Sequence, residues 1–197
     1  REGELDWHND WDSSYDKGYS TELLTNHAVQ CIRDYAKGDA PFFVYVAYNA
    51  PHSPLQAPDE DLKLYGFDSS KPRFGKGDKT GRGNNKAQTY AAMVTAMDRG
   101  IGDIIETLEE TGELDNTLFL FFSDNGQIEG SSGELRGRKF LEFEGGVRVP
   151  ALLSWPARLE GGKTINQVMG AVDVMPTILD VLNVQSEAQF DGKSMLS

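Results

Sequence analysis

A single cysteine, Cys31, among 197 residues excludes an intrachain disulfide framework. Its neighbours are apolar and helically spaced, so it reads as a small buried hydrophobe, and cysteine usage leaves the compartment open. No apolar run approaches the roughly 20 residues of a membrane helix. The chain opens on the polar Arg1-Glu2-Gly3-Glu4, so neither a span nor a signal peptide is visible. No Asn-x-Ser/Thr acceptor occurs, which argues against a glycosylated eukaryotic secreted protein. Positive charge is also scarce. Nineteen Lys and Arg stand against 31 Asp and Glu, giving a formal net charge of −12 and a pI near 4.6. That balance excludes a nucleic-acid partner, which needs a basic face.

The remaining composition, 39% apolar and 25% charged, is that of a globular protein with a sizeable core. Residues 1–20 mix Trp7, Trp11, Tyr15 and Tyr19 with acidic and small polar residues, fitting a strand or loop at a domain margin. From Ser20 to Ala36 the apolar positions Leu23, Leu24, Ala28, Cys31, Ile32 and Tyr35 recur at helical spacing, with Ser20 or Thr21 as N-cap. Pro41 to Tyr48 is a continuous apolar and β-branched run, the pattern of a strand covered on both faces. A second long helix is predicted from Ala87 to Thr111, stopped by Gly112, with Met93 and Met97 as core filler. Leu118–Phe122 and Val149–Trp155 read as further buried strands. A short apolar run at Gln167–Val172 follows, then a last helix capped by Asp173. Alternating unbroken strands and helices predict an α/β fold with a largely parallel sheet. Residues 63–86, rich in Gly, Lys, Asp, Ser and Asn, read as a mobile surface insertion; they lack the strand and the spacing of a phosphate-binding loop.

Chemistry-bearing residues collect at predicted strand ends, where open α/β sheets bind ligands. The strand at Leu118 runs into Ser123-Asp124-Asn125-Gly126, presenting a carboxylate and a carboxamide. Ten residues after Gly126 a basic segment begins, Arg136-Gly137-Arg138-Lys139. The other apolar strand ends in Pro51-His52-Ser53-Pro54-Leu55-Gln56-Ala57-Pro58, whose prolines hold His52 on a stiff extended loop. Asp124 and Asn125 are hard oxygen donors that suit calcium or magnesium better than zinc, although calcium takes about six to eight oxygens and two are too few. Lys139 can hold an anionic group and His52 can donate to a leaving oxygen, with Arg136, Arg138 and Arg148 as further positive charges. Together these suit cleavage of an ester of a tetrahedral oxyanion. The plainer alternative is a turn at Asp-Asn-Gly and a solvated basic loop.

The ordered set of Pro51-His52-Ser53-Pro54, Met97-Asp98-Arg99-Gly100, Ser123-Asp124-Asn125-Gly126, Leu135-Arg136-Gly137-Arg138-Lys139 and Glu144-Gly145-Gly146-Val147-Arg148 resembles the formylglycine-dependent sulfatases. The arylsulfatase and N-acetylgalactosamine-sulfatase group is the most similar. The opening Gly3-Glu4-Leu5-Asp6-Trp7 and the ending Asp173-Val174-Met175-Pro176-Thr177 also fit. The resemblance implies an alkaline-phosphatase-like sandwich, with Asp124 and Asn125 as Ca2+ ligands. It implies that His52 contacts the sulfate and assists the leaving oxygen, and that Lys139 binds a sulfate oxygen. Asn125 stands where a two-metal phosphoester hydrolase of the superfamily has histidine. The family nucleophile, a formylglycine made within C/S-x-P/A-x-R, has no counterpart: Cys31-Ile32-Arg33-Asp34-Tyr35 does not match. Residues 1–197 are therefore expected to be the C-terminal portion of a catalytic domain, inactive alone. The whole would act on a sulfated small molecule or glycan in a periplasmic, secreted or lysosomal compartment, with no nucleic-acid or membrane partner and an oligomeric state the sequence does not reveal. A non-catalytic binder of sulfated glycans and a phosphoester hydrolase are the alternatives.

Overall fold

A computed structural model of the chain describes the backbone of residues 7–9 and 12–14 and the whole of residues 17–196. The expectations for Trp7, Trp11 and Tyr15, and for the motif at residues 3–7, concern side chains outside the described residues. Strand β1 (Trp7–Asn9) pairs antiparallel with β2 (Asp12–Ser14). Helix α1 then runs Ser20–Tyr35, α2 Asp59–Leu64, and α3 Lys86–Glu110. Strand β3 (Phe119–Phe122), α4 (Glu144–Val147), β4 (Ala151–Ser154) and α5 (Val174–Val181) follow.

The two long helices form as their periodicity predicts, and their caps show why they stop where they do. Asn85 accepts from the Gln88 amide at 2.9 Å and starts α3; Gly112, at φ +77°, ends it. At α1 neither candidate hydroxyl caps the helix. Tyr19 occupies the N-cap position in extended conformation without a side-chain bond, while Thr21 is buried. At α5 the Asp173 carboxylate does not cap either. It accepts from the Gly170 and Lys193 amides at 2.8 and 2.9 Å, tying the C-terminal segment to the helix base. Those bonds hold its carboxyl below the usual carboxylate range.

Two apolar cores share α3. Its N-terminal half packs on α2 through Leu62, Phe67, Ala92 and Met93. Its C-terminal half packs on α1 through Ala28, Ile32, Ile104 and Leu108. Leu62 is fully buried, which contributes about 2 kcal/mol by area. Asp61, also buried, takes both arms of the Arg99 guanidinium, one at 3.0 Å, and Arg99 lies 3.6 Å from Glu22. One arginine thus joins α2, α3 and α1.

The sheet differs from the expected one. Among the described residues the ladders are two antiparallel pairs, β1–β2 and β3–β4, and the largely parallel central sheet does not appear. Residues 41–48 are extended but pair with no strand. Nor are they covered on both faces. Phe42, Val44, Val46 and Tyr48 pack against the α1–α3 core, while Phe43 and Tyr45 are 72% and 79% exposed. The run is apolar on both sides because both sides suit burial, but the described chain supplies a covering layer to only one. β4 is exposed at all four positions, and residues 164–170 form no strand.

The helices and residue 48 meet at Gly100. Thr25 Oγ1 and Tyr48 OH are 2.7 Å apart there, and a Cβ on Gly100 would run into both. Alanine favours a helix interior over glycine by about 1 kcal/mol, yet Gly100→Ala should destabilise the protein by about 1–3 kcal/mol through this overpacking. Urea midpoints of the two proteins, made in the natural reading frame, check it; a stabilised variant would show that the crossing is loose.

Candidate active site

β3 delivers Asp124 and Asn125 to a loop whose backbone is bonded to itself and to α4. Ser123 Oγ donates to the Asn125 carbonyl at 3.0 Å. The Gly126 amide donates to the Gly146 carbonyl at 2.8 Å, and the Gly145 amide to Arg136 at 2.7 Å. The Lys139 amide donates to Gln127 at 3.0 Å, so the basic segment is stitched beside the Asp-Asn turn. The Gln127 side chain completes the knot, with its nitrogen towards Gly145 O at 3.3 Å and its oxygen towards Ser132 N at 3.1 Å.

Glycine is required here by contact. A Cβ on Gly126 would meet the Gly145 carbonyl, one on Gly145 the Gly137 carbonyl, and one on Gly146 the Leu141 carbonyl. Each obstacle is backbone, which cannot rotate aside. Phe140 carries a further constraint. It holds φ +75° and is 86% exposed, a conformation L residues rarely adopt, immediately after Lys139.

This knot satisfies its own polar groups and leaves the candidate side chains free. Among the described residues neither Asp124 nor Asn125 has a side-chain hydrogen bond or an ion pair, and Lys139 Nζ has no carboxylate partner. It lies 5.7 Å from the centroid of the Phe140 ring. Of the other cations, Arg136 stacks on Phe143 at 3.8 Å and Arg148 bonds Glu144 at 3.4 Å, whereas Arg138 is exposed and has no carboxylate partner among the described residues. Asp124, Asn125 and Lys139 are therefore brought together on one loop unit, with open oxygen donors and one available ammonium.

His52 stands on a different loop. It is exposed, its amide donates to Asn49 at 2.8 Å, and its Nδ1 lies 2.7 Å from the Ser53 carbonyl. A carbonyl can only accept, so the Nδ1 position carries the hydrogen and Nε2 is the ring nitrogen left for a ligand. No hydrogen bond or ion pair joins His52 to Asp124, Asn125 or Lys139 among the described residues. Those residues also contain no group of three acids, histidines or cysteines able to hold a metal. Asp124 and Asn125 have the right chemistry for a hard cation but are too few to enclose one. Spacing alone gives no sign of Gln127 or of the paired glycines at 145–146 as parts of the site; their signal is the close backbone approach itself.

The family model for sulfatases matches residues 2–184, and the chain belongs to the sulfatase family. Among its relatives, a protein of Escherichia coli K12 named uncharacterized sulfatase YdeN is 33% identical, over 91% of this chain and 31% of that protein. Human N-acetylgalactosamine-6-sulfatase is 32% identical, over 89% of this chain and 31% of that protein. Among solved structures, Ps i-CgsB aligns with a TM-score of 0.82 and 34% identity, covering 94% of this chain and 39% of that one; it is also known in complex with k-i-k-neocarrahexaose. The chain thus spans about a third of the length of the relatives it matches.

Because three glycine contacts hold the loop unit, Gly126→Ala should open it as a whole. Hydrogen-exchange protection at the Gly126, Lys139 and Gly145 amides is expected to fall together while α1 and α3 keep theirs. Loss confined to the Gly126 amide would mean that the segments are independent.

Proposed function

We propose that this chain is the C-terminal portion of a sulfatase catalytic domain that hydrolyses a sulfate ester of a glycan or aryl alcohol. The observation that carries the reading is the pairing of free oxygen donors, Asp124 and Asn125, with the free ammonium of Lys139 on one braced loop. In this reading Lys139 holds a sulfate oxygen as a compact point charge. His52 Nε2, protonated, gives its proton to the leaving oxygen as the ester S–O bond breaks. Asp124 and Asn125 contribute two oxygens to a calcium site, and the ion would supply charge neutralisation to the sulfate group. The other ligands, and the formylglycine nucleophile from a C/S-x-P/A-x-R motif, come from sequence outside these 197 residues, so the chain alone is inactive.

A glycan substrate is supported by a relative named for N-acetylgalactosamine-6-sulfate chemistry and by a structural neighbour with a bound neocarrahexaose. A periplasmic or secreted location, or a lysosomal one in a eukaryote, accompanies that substrate class. No helix among the described residues is long and apolar enough to cross a membrane.

The test is hydrolysis of 4-nitrocatechol sulfate by the natural reading frame, with and without a calcium chelator. His52→Ala and Lys139→Ala are each expected to lower kcat/KM by about 100-fold or more, and the chelator to abolish turnover. Full activity in both variants would overturn the residue assignments. Faster turnover of a phosphate ester with a transition metal would point to a phosphoester hydrolase, and no turnover of either to a binding protein.

A further inference from the structure

The protein's charge is unevenly placed. Residues 63–86 hold seven basic side chains and two acidic ones, in a chain of net charge −12. We propose that this loop is a subsite for a second anionic sugar of a sulfated oligosaccharide, bordering the His52 loop. The proposal rests on the sulfate-ester reading above and adds what the substrate must be: a polyanionic chain instead of a lone sulfated alcohol.

The loop is built to hold its cations in place. Asn84 is its hub. The Nδ2 of Asn84 donates to the carbonyls of Asp68, Lys71 and Pro72, and its Oδ1 accepts from the Asp68 amide at 2.9 Å. The Phe74 amide donates to Gly83 and the Arg82 amide to Lys79, both at 3.0 Å. Thr80 closes a turn on Asp78 through its amide and hydroxyl, at 2.9 and 2.8 Å. A segment expected to be mobile is thus cross-braced along its length.

The basic side chains divide into two groups. Lys71, Arg73 and Lys86 are matched by Asp68, Asp59 and Glu129. Lys63, Lys76 and Lys79 are exposed and have no carboxylate within ion-pair distance among the described residues. Arg82 gives one arm to the Lys76 carbonyl at 3.3 Å and stacks on Phe74 at 5.6 Å, with its Nε buried and unpartnered among the described residues. The bland alternative, a solvated loop balanced by nearby acids, therefore covers three of its seven charges.

One of the free cations, Lys79, lines a cleft of about 640 Å³ together with Asp59, Arg73, Asp78, Thr80 and Gly81, and Lys76 lies two residues before Asp78 on the same loop. The cleft's make-up fits a sugar that carries an anion. The Lys79 ammonium meets a sulfate or carboxylate oxygen, while Asp59 and Asp78 accept from ring hydroxyls. Hydrogen bonds from Thr80 hold the Asp78 carboxyl below its usual range, so it stays an acceptor. A nucleic acid, which offers a long phosphate backbone, would meet the acidic remainder of the surface.

The cleft is also joined to the catalytic side. The Ala57 amide donates to Gly81 O at 2.7 Å and Gln56 Nε2 to Thr80 O at 3.0 Å. Gln56 is four residues from His52, so their Cα atoms are at most about 14 Å apart. A short oligosaccharide with its scissile sulfate at His52 can place a neighbouring charged sugar on the loop.

The experiment uses the natural reading frame and the double variant Lys76→Ala/Lys79→Ala. Calorimetric affinity for a sulfated carrageenan hexasaccharide and for its desulfated form, at two salt concentrations, is compared with kcat/KM on 4-nitrocatechol sulfate. The double variant should bind the sulfated hexasaccharide about 10-fold more weakly, with a shallower salt dependence. The desulfated form should bind weakly to both proteins. Turnover of the small aryl sulfate, too short to reach the loop, should stay within about two-fold, which also reports that the variant is folded. An unchanged hexasaccharide affinity, or an equal fall on both substrates, overturns the subsite. If neither substrate is hydrolysed by the unaltered protein, the sulfatase reading fails, and the affinity arm still decides whether the loop binds sulfated sugar.

Discussion

The close crossing at Gly100 is the constraint from which the described architecture follows. Because residue 100 has no side chain, α3 comes near enough to α1 and to residue 48 for Thr25 and Tyr48 to share a hydrogen bond at 2.7 Å. That bond fixes the end of the extended segment 41–48 against the helix pair. The chain leaves it directly into the proline loop, so the position of His52 is inherited from a helix crossing four residues upstream. Arg99, the neighbour of that glycine, reaches the other way to the buried Asp61 and sets α2, where the same proline loop ends. One dipeptide on α3 thus anchors both ends of the loop that carries a candidate catalytic residue.

A different economy governs the Asp124 loop. Its turns are held by main-chain bonds among Gly126, Lys139, Gly145 and Gly146, with the side chains of Ser123, Gln127 and Ser132 drawn in. Nothing in that scaffold needs the Asp124 carboxylate, the Asn125 amide or the Lys139 ammonium. Side chains that a fold does not require for its own stability are available to a ligand, and they sit here on a rigid base. The cost falls on Phe140, whose left-handed backbone is the local strain that the tight packing imposes.

Much of this was legible in the sequence, for physical reasons that differ by element. The helices at 20–36 and 87–111 emerge within a residue or two because an amphipathic period of many turns leaves little choice, and Asn85 and Gly112 punctuate the second. The strand at Leu118 and the turn after it are equally plain. The partners of strands are not. An apolar run such as 41–48 says that both faces suit burial, but not which chain will cover them, and the expected parallel sheet depended on that. The site was readable as residue types and as a family pattern, whereas the contacts of Gly126 with Gly145, Gly145 with Gly137 and Gly146 with Leu141 appear only once the loop is folded back on itself. Charge segregation at 63–86 was visible, but the hub role of Asn84 needs the carbonyls it gathers to be seen in space.

The one-sided burial of residues 41–48 bears on how the protein must be handled. A segment whose backbone joins no ladder among the described residues, with Phe43 and Tyr45 standing out of it, is a sticky edge, open to any strand that presents itself. Made as these 197 residues alone, the chain would carry that edge into solution with only its net charge of −12 to keep copies apart. Salt, which screens that repulsion, would then drive self-association, and low ionic strength is the condition under which the isolated chain would stay dispersed.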